Sequence, residues 1–531
     1  MKEIVKKGII TATAISFLSG IVTGQANQEG VSHPEKEIRT LVVFFDGLRP
    51  DYITPRSMPN LYAFSQSASY GEQHHSVYPT VTRVNAASLS TGSYPAVHGL
   101  MHNFVYFPEV DKKKALNTAD AADLDRITQA THGHLLTAVS LGEILQQAGY
   151  KMMVFSSGTS GQALLQNHKI SGGAVINTSL IRPAALRAQV EKEIGPIPPD
   201  AMPNTAQHKW ITDALIKYGL TLNGPLVSTI WFSDPDETEH AKGVGTPMTM
   251  EALKSVDEQF GRIIAYLKKE QLTAHFNIIV SSDHGFITHN GKSYASPAEV
   301  LIKAGLKKDR ESADIAFIGG GIYVKDHDTA LIRKAVEKFQ MTEGIGGIFV
   351  KAARPGDMKG FVAGTLSFDT IHLDHPDRAP DIIIHPEWNN SLDKMGYHGM
   401  AFSRGVAGHG GFSSYEVHIP LLVSGPSFKE AFKSEWPTSN VDIAPTILHI
   451  YHLPAPASMD GRVMNELLKE KPAKPEEKPR KEMITATARF RGGTYTLNVE
   501  ETVLGRYRYI DYSRVTRTSG SLAHASLHDT P

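Results

Sequence analysis

Six side chains able to hold metal ions stand at telling positions in this chain. Asp46 lies in Phe45-Asp46-Gly47. Asp236 and His240 lie in Asp234-Pro235-Asp236-Glu237-Thr238-Glu239-His240. Asp283 and His284 lie in Ser281-Ser282-Asp283-His284-Gly285, and His409 in Gly408-His409-Gly410-Gly411. Three carboxylates and three imidazoles divide into two sets that suit borderline divalent ions such as zinc. Alone, an Asp after a strand is a helix cap or turn former, and a lone His is structural. It is the combination that points to chemistry. Asp236 is preferred to Asp234 because its four-residue spacing to His240 puts both on one face of a helical turn. The pairs His132/His134 and His74/His75 lack carboxylate partners after strands and read as structural.

A nucleophile is offered by Tyr78-Pro79-Thr80-Val81-Thr82-Arg83-Val84-Asn85. Pro79 stiffens the approach, Ala86–Leu89 favours helix, and Gly92 is a natural stop. Thr82 then sits at a helix N-terminus, where unpaired N–H groups and the helix dipole favour an anion. A free Thr hydroxyl is a poor nucleophile at neutral pH until a divalent metal lowers its pKa. Without metal ligands, Thr82 or Thr80 would merely cap the helix.

These residues need a scaffold that gathers them. Leu41–Phe45, Met152–Phe155, Leu226–Phe232, Asn277–Val280 and Pro420–Val423 are short apolar runs that read as buried parallel strands. Ser140-Leu141-Gly142-Glu143 is a capping box opening a helix that ends near Gly149. Leu253, Val256, Phe260, Ile263, Ile264 and Leu267 form one apolar helical stripe. Strands alternating with helices predict an α/β fold with a doubly wound, mostly parallel sheet. Ligands of such sheets bind at the carboxyl ends of the strands. All the candidate ligands but His409, which precedes Pro420–Val423, lie shortly after such ends.

Two stretches break the rhythm. Residues 104–134 read as polar loop. Residues 317–400 carry their own strand–helix–strand pattern (Gly321–Val324, Ala330–Phe339, Gly347–Val350) and read as a cap inserted over the site. The catalytic domain is expected over 38–468. A Lys/Glu/Pro-rich linker follows at 469–482, and 483–531 forms an extension with a small C-terminal β-hairpin from Thr494–Val499 and Arg506–Tyr512.

The chain has 531 residues, 41% of them hydrophobic and 21% charged, which excludes a disordered or fibrous protein. The formal net charge of −1 gives no basic excess for non-specific nucleic-acid binding. Lys2, Lys6 and Lys7, the uncharged stretch Gly8 to Val22 and the small-residue Gly24-Gln25-Ala26 predict a signal peptide over 1–26. The protein is thus expected to be exported, periplasmic or secreted, with no stable membrane span after cleavage. Zero Cys excludes disulfides, thiolate zinc ligands and a thiol nucleophile.

Taken in order, Phe45-Asp46-Gly47, Pro79-Thr80-Val81-Thr82, Ser93-Tyr94-Pro95-Ala96-Val97-His98-Gly99 with Asn103, Asp236…His240, Asp283-His284-Gly285 and Gly408-His409-Gly410 resemble the alkaline phosphatase superfamily, most of all its type I phosphodiesterase/nucleotide pyrophosphatase branch. The resemblance runs from about Arg39 to Leu468 and includes Val441-Asp442-Ile443-Ala444-Pro445-Thr446 and Met459-Asp460-Gly461-Arg462. It implies two Zn2+ ions. Asp236, His240 and His409 would hold one; Asp46, Asp283, His284 and the Thr82 oxygen would hold the other. It implies a phospho-threonine intermediate, with Asn103 donating to a non-bridging phosphoryl oxygen. The branch commonly continues its nucleophile motif with Phe-Pro-Asn-His. Here Arg83-Val84-Asn85-Ala86 stands instead, with a cation beside the phosphoryl site.

Two zinc ions set against three carboxylates and a Thr82 alkoxide leave a site near neutral. Such a site accepts a phosphodiester monoanion easily, whereas a monoester dianion benefits from further cations. Monoesterase relatives often carry Lys-x-Arg after the second major strand, where this chain has Gly158-Thr159-Ser160. That favours small-molecule phosphodiesters or pyrophosphates. Arg83 pulls toward a phosphomonoesterase or phosphonate hydrolase, since its guanidinium suits an extra anionic oxygen. An inactive binding protein of the same fold is the alternative of a different class.

Overall fold

The computed structural model describes residues 38–111, 114–292, 296–470 and 477–519. The expected signal segment 1–26 lies outside them. Its centre is a mixed sheet. In chain order its strands are β1 (Arg39–Phe45), β2 (Ser69–His75), β3 (Met152–Ser156), β4 (Ala174–Asn177), β5 (Ile181–Arg182), β6 (Val227–Phe232), β7 (Phe276–Ser281), β8 (His418–Ile419), β9 (Leu421–Ser424) and β10 (Lys433–Ser439). Their order across the sheet is β8-β2-β9-β7-β1-β6-β3-β4-β5, with β10 beside β2.

From β4 through β3, β6 and β1 to β7 the pairing is parallel. These strands read as unbroken apolar runs because both faces are covered. Leu41, Val43 and Phe45 pack with Leu253, Val256, Phe260, Ile263 and Leu267 of the helix Pro247–Lys269 on one face. Val42 and Phe44 pack with Ala86, Ala87, Leu89 and Ile447 on the other. The sheet is doubly wound, as the alternation predicts.

The strand expected over Pro420–Val423 is present as β9, but it is not parallel to its neighbour. It runs antiparallel to β7, with Leu422 opposite Val280. This correction explains the position of His409. Because β9 runs the other way, the segment leading into it arrives where the parallel strands end. A residue before β9 thereby joins residues after β1, β6 and β7.

Residues 104–134 are also more ordered than a loop. Phe104–Val105 pairs with Leu116–Asn117, and Ala121–Ala130 is a helix capped by the Asp120 carboxylate, which accepts the Ala122 N–H. Ala121, Leu124 and Ile127 anchor that helix in the core, a stripe short enough to be lost among its polar neighbours. The capping box at Ser140 opens Leu141–Gln147 as expected.

Within 317–400, the strand–helix–strand appears as Gly321–Val324, Thr329–Gln340 and Ile345–Val350, part of a five-stranded sheet. The C-terminal hairpin gains a third strand. Arg480–Phe490, Gly493–Leu504 and Tyr507–Ser519 form an antiparallel sheet whose first strand begins inside the expected linker. Tyr495, Leu497 and Val499 of this sheet share a core with Ile332, Phe339 and Ile348 of the insertion. No helix among the described residues is long and apolar enough to cross a membrane.

Candidate active site

The structure brings the six predicted ligands together as two trios. Asp46, Asp283 and His284 offer ligand atoms within 4.8 Å of one another, and so do Asp236, His240 and His409. The trios adjoin. His284 Nε2 lies 3.4 Å from Asp46 Oδ1, 3.1 Å from Asp283 Oδ2 and 3.8 Å from Asp236 Oδ1. His409 Nε2 lies 3.2 Å from Asp236 Oδ1 and 3.1 Å from His240 Nε2. Asp236 and His240 share one face of the helix Asp236–Lys242, as their spacing predicts. The His284 and His409 rings stack with centroids 3.5 Å apart.

Four of the six candidate ligands are held from outside. The Trp231 indole N–H donates to Asp46 Oδ2 at 2.9 Å, and the Gly47 N–H donates to Asp283 Oδ1 at 3.1 Å. His284 donates its Nδ1–H to the Gly285 carbonyl at 3.1 Å, and His409 its own to the Thr80 carbonyl at 2.7 Å. Carbonyls only accept, so both Nε2 atoms present lone pairs inward. Asp46 Oδ1, Asp236 Oδ1 and Asp283 Oδ2 are buried with no hydrogen-bond donor. Burial lifts the Asp46 carboxyl well above its usual range, and Asp283 and Asp236 add to the rise. Burial, with His284 adding, holds His409 down to about 4. Buried oxygens without donors and imidazole lone pairs directed at them are what divalent cations satisfy, so the residues fit a pair of such ions.

Gly47 lets two of these loops approach. Its φ is +76°, and a Cβ there would meet the Asp236 backbone and Cβ at 3.1 Å. Thr82 opens the helix Thr82–Thr91, which closes on Gly92 in the left-handed region. Thr82 Oγ1 is 3.3 Å from His284 Nε2. Asn103 Oδ1 accepts the Arg83 backbone N–H at 3.1 Å, which ties Asn103 to the first turn of the same helix. Arg83 is half-buried, and its Nε is buried without an acceptor. Burial lowers its guanidinium, against the pull of Asp46, Asp236 and Asp283.

The model of the family "Type I phosphodiesterase / nucleotide pyrophosphatase" matches residues 40–410, the span from β1 to the His409 loop. The chain belongs to that family. Membership of the type I phosphodiesterase/nucleotide pyrophosphatase family makes it a phosphoric ester hydrolase. Among relatives, the bis(5'-adenosyl)-triphosphatase enpp4 of Xenopus laevis is 23% identical over 421 residues, covering 77% of this chain and 76% of that protein. The ectonucleotide pyrophosphatase/phosphodiesterase family member 7 of Rattus norvegicus is 25% identical over 294 residues, 54% of this chain and 57% of that one. Murine ectonucleotide pyrophosphatase/phosphodiesterase 5 superposes with a TM-score of 0.58 at 18% identity, covering 81% of this chain and all of that one. A variant of the alkaline phosphatase PafA gives 0.60 at 15% identity, covering 81% and 98%. The alkaline-phosphatase-like fold is shared with both.

Three residues of this family member to which the sequence assigned no part in the chemistry support its site. Trp231 fixes Asp46, and its place in a continuous apolar strand hides that role. Thr80 Oγ1 accepts the Gly410 N–H at 3.1 Å and so ties the His409 loop to the turn before Thr82. His102 has a buried Nδ1 without a partner and lines a cavity of about 270 Å³ with His409, Gly319 and Gly320. Its position next to Asn103 was the available signal. Gly319, Gly320 and Ile383 of the 317–400 stretch also line this cavity.

Proposed function

We propose that the protein is an exported two-zinc hydrolase of phosphodiester or pyrophosphate bonds working through a phospho-threonine at Thr82. The observation that carries this reading is the set of three buried, donor-less carboxylate oxygens beside the Thr82 hydroxyl at a helix N-terminus. Asp46, Asp283, His284 and the Thr82 oxygen would hold one ion, and Asp236, His240 and His409 the other. Zinc bound there supplies a lowered pKa for a coordinated hydroxyl and positive charge against the phosphoryl oxygens.

The chain's own groups do the rest. The Thr82 hydroxyl gives up its proton to solvent and its Oγ1 attacks phosphorus. The new P–O bond forms as the bond to the leaving oxygen breaks, and the electron pair departs with that oxygen. Water then attacks the same phosphorus and the Thr82 oxygen leaves, restoring the hydroxyl. Two in-line displacements give net retention at phosphorus. The Asn103 carboxamide oxygen is engaged by the Arg83 N–H, so its Nδ2–H is free to donate to a non-bridging oxygen. Arg83 offers its guanidinium to the same group.

Two features favour diesters. Gly158-Thr159-Ser160 follows β3 without a charge, Thr159 capping the next helix through the Gln162 N–H. Relatives include a bis(5'-adenosyl)-triphosphatase, an activity on pyrophosphate links rather than on a terminal monoester. Arg83 favours a second reading, a phosphomonoesterase or phosphonate hydrolase. Matched aryl diester and monoester substrates test the two: a higher kcat/KM for the diester supports the first reading, and a higher one for the monoester replaces it with the second. Export rests on the pattern of residues 1–26, and N-terminal sequencing of the mature protein tests it.

A further inference from the structure

A third group of ligand-type side chains lies away from the two trios, where the C-terminal sheet meets the central one. His75 ends β2, His418 begins β8, and Asp511 comes from the strand Tyr507–Ser519. One ligand atom from each lies within 4.8 Å of the others. His75 Nε2 is 3.0 Å and His418 Nε2 3.6 Å from the same oxygen, Asp511 Oδ1. His75 and Asp511 are buried, and His418 is about a quarter exposed.

The tautomer of His75 makes this contact unusual. Its Nδ1 lies 2.9 Å from the Thr438 carbonyl oxygen, which can only accept. Nδ1 therefore carries the proton, and in a neutral ring Nε2 turns a lone pair toward a carboxylate oxygen. Asp511 is oriented likewise: its Oδ2 accepts the Thr502 hydroxyl at 2.7 Å, leaving Oδ1 to the imidazoles. A proton shared by His75 Nε2 and Asp511 Oδ1 would leave the His418 nitrogen beyond hydrogen-bond range at 3.6 Å, whereas a cation could be held by all three atoms. Zinc–ligand bonds of about 2.0–2.2 Å in a tetrahedron put ligand atoms about 3.3 Å apart, the range of the two contacts here. Lys481 approaches the other oxygen, Oδ2, at 3.9 Å, but its charge is engaged by Glu500 at 2.8 Å. Beside His418 and Asp511 opens a cavity of about 410 Å³, lined also by Glu72, Glu500, Lys481 and Arg514, so a fourth, solvent ligand has room.

We infer that His75, His418 and Asp511 form a structural site for a divalent cation of the zinc class, which staples the C-terminal sheet to the central sheet. In a chain without cysteine, such a staple does what a disulfide does elsewhere. The residues are independent of the catalytic trios, so the inference stands apart from the proposed reaction.

The test empties the catalytic site first. The triple variant Asp46→Asn/Asp236→Asn/Asp283→Asn is loaded with zinc, passed through a chelating resin and assayed by plasma mass spectrometry. One equivalent of zinc is expected to remain, and adding His418→Gln is expected to remove it. Zinc retained equally with and without His418→Gln, or absent from both, overturns the site and leaves a His75 imidazolium–Asp511 ion pair. A second readout needs no fourth substitution. Zinc added to the metal-stripped triple variant should raise its melting temperature, and no rise overturns the inference.

Discussion

His409 donates its Nδ1–H to the carbonyl oxygen of Thr80 at 2.7 Å, two residues before the nucleophile candidate. One hydrogen bond thus orients a candidate metal ligand and tethers the chain that leads into the Thr82 helix. The two halves of the site cannot shift independently.

Thr82→Ala should abolish turnover while the metal content of the site stays nearly unchanged, because Asp46, Asp283 and His284 remain. Product assays and metal analysis on the same preparation check this. Appreciable residual turnover, or inversion with a chiral phosphate ester, would shift the reading to direct attack by water.

Arg83→Ala should depress monoester hydrolysis more than diester hydrolysis. Arg83 directly follows Thr82 in the first turn of its helix, so its half-buried side chain starts beside the position of an added anionic oxygen. A charge-assisted hydrogen bond of about 1.5–3 kcal/mol corresponds to about one to two decades in rate. Equal losses in kcat/KM for the two substrates would deny the preference.

Trp231→Phe should weaken metal binding about 10–100-fold, the usual cost of losing a partner that orients a ligand. The substitution keeps the stack on Phe44, whose ring centroid is 4.6 Å away, and removes the N–H donated to Asp46. Competition with a chromogenic chelator measures the change, and an unaltered affinity would mean that Asp46 needs no such support.

Acid should destabilise the protein through histidines buried in neutral form. His98 takes the Leu100 N–H on Nδ1 at 3.1 Å and meets Ser88 Oγ at 3.0 Å, and burial, followed by His375 and Arg378, lowers it to about 3. Its folded pKa lies below the unfolded value of 6.5, so between the two the unfolded chain binds the extra proton. The stability it contributes is complete above about pH 6.5 and drains as pH falls toward 3. One such proton gives a slope of about 1.4 kcal/mol per pH unit. Urea unfolding across pH 4–7 should show His98→Gln with a slope smaller by that amount, and parallel slopes would refute the assignment.

Much of this was legible in the sequence, for physical reasons. Strands covered on both faces must be apolar throughout, so Leu41–Phe45 and its parallel neighbours announce themselves, and the residues after them mark the site. The direction of β9 was not legible, because an apolar run looks the same whichever way it pairs. His75 was read as structural for want of a carboxylate, and its partner Asp511 lies in a strand at the other end of the chain. Nor does the order of residues reveal that the Thr80 hydroxyl and carbonyl hold the His409 loop, since that contact exists only once the sheet has brought distant segments together.

The insertion of β9 between β2 and β7 sets when the enzyme can begin to work. β7, β1 and β6 can pair among themselves before His409 and β9 are in place. Until β9 slides between β2 and β7, the second trio lacks an imidazole and the turn before Thr82 lacks its tether. By the proposed mechanism, hydrolytic competence would therefore arrive with one of the last steps of chain folding, and a copy that has not seated β9 would be idle.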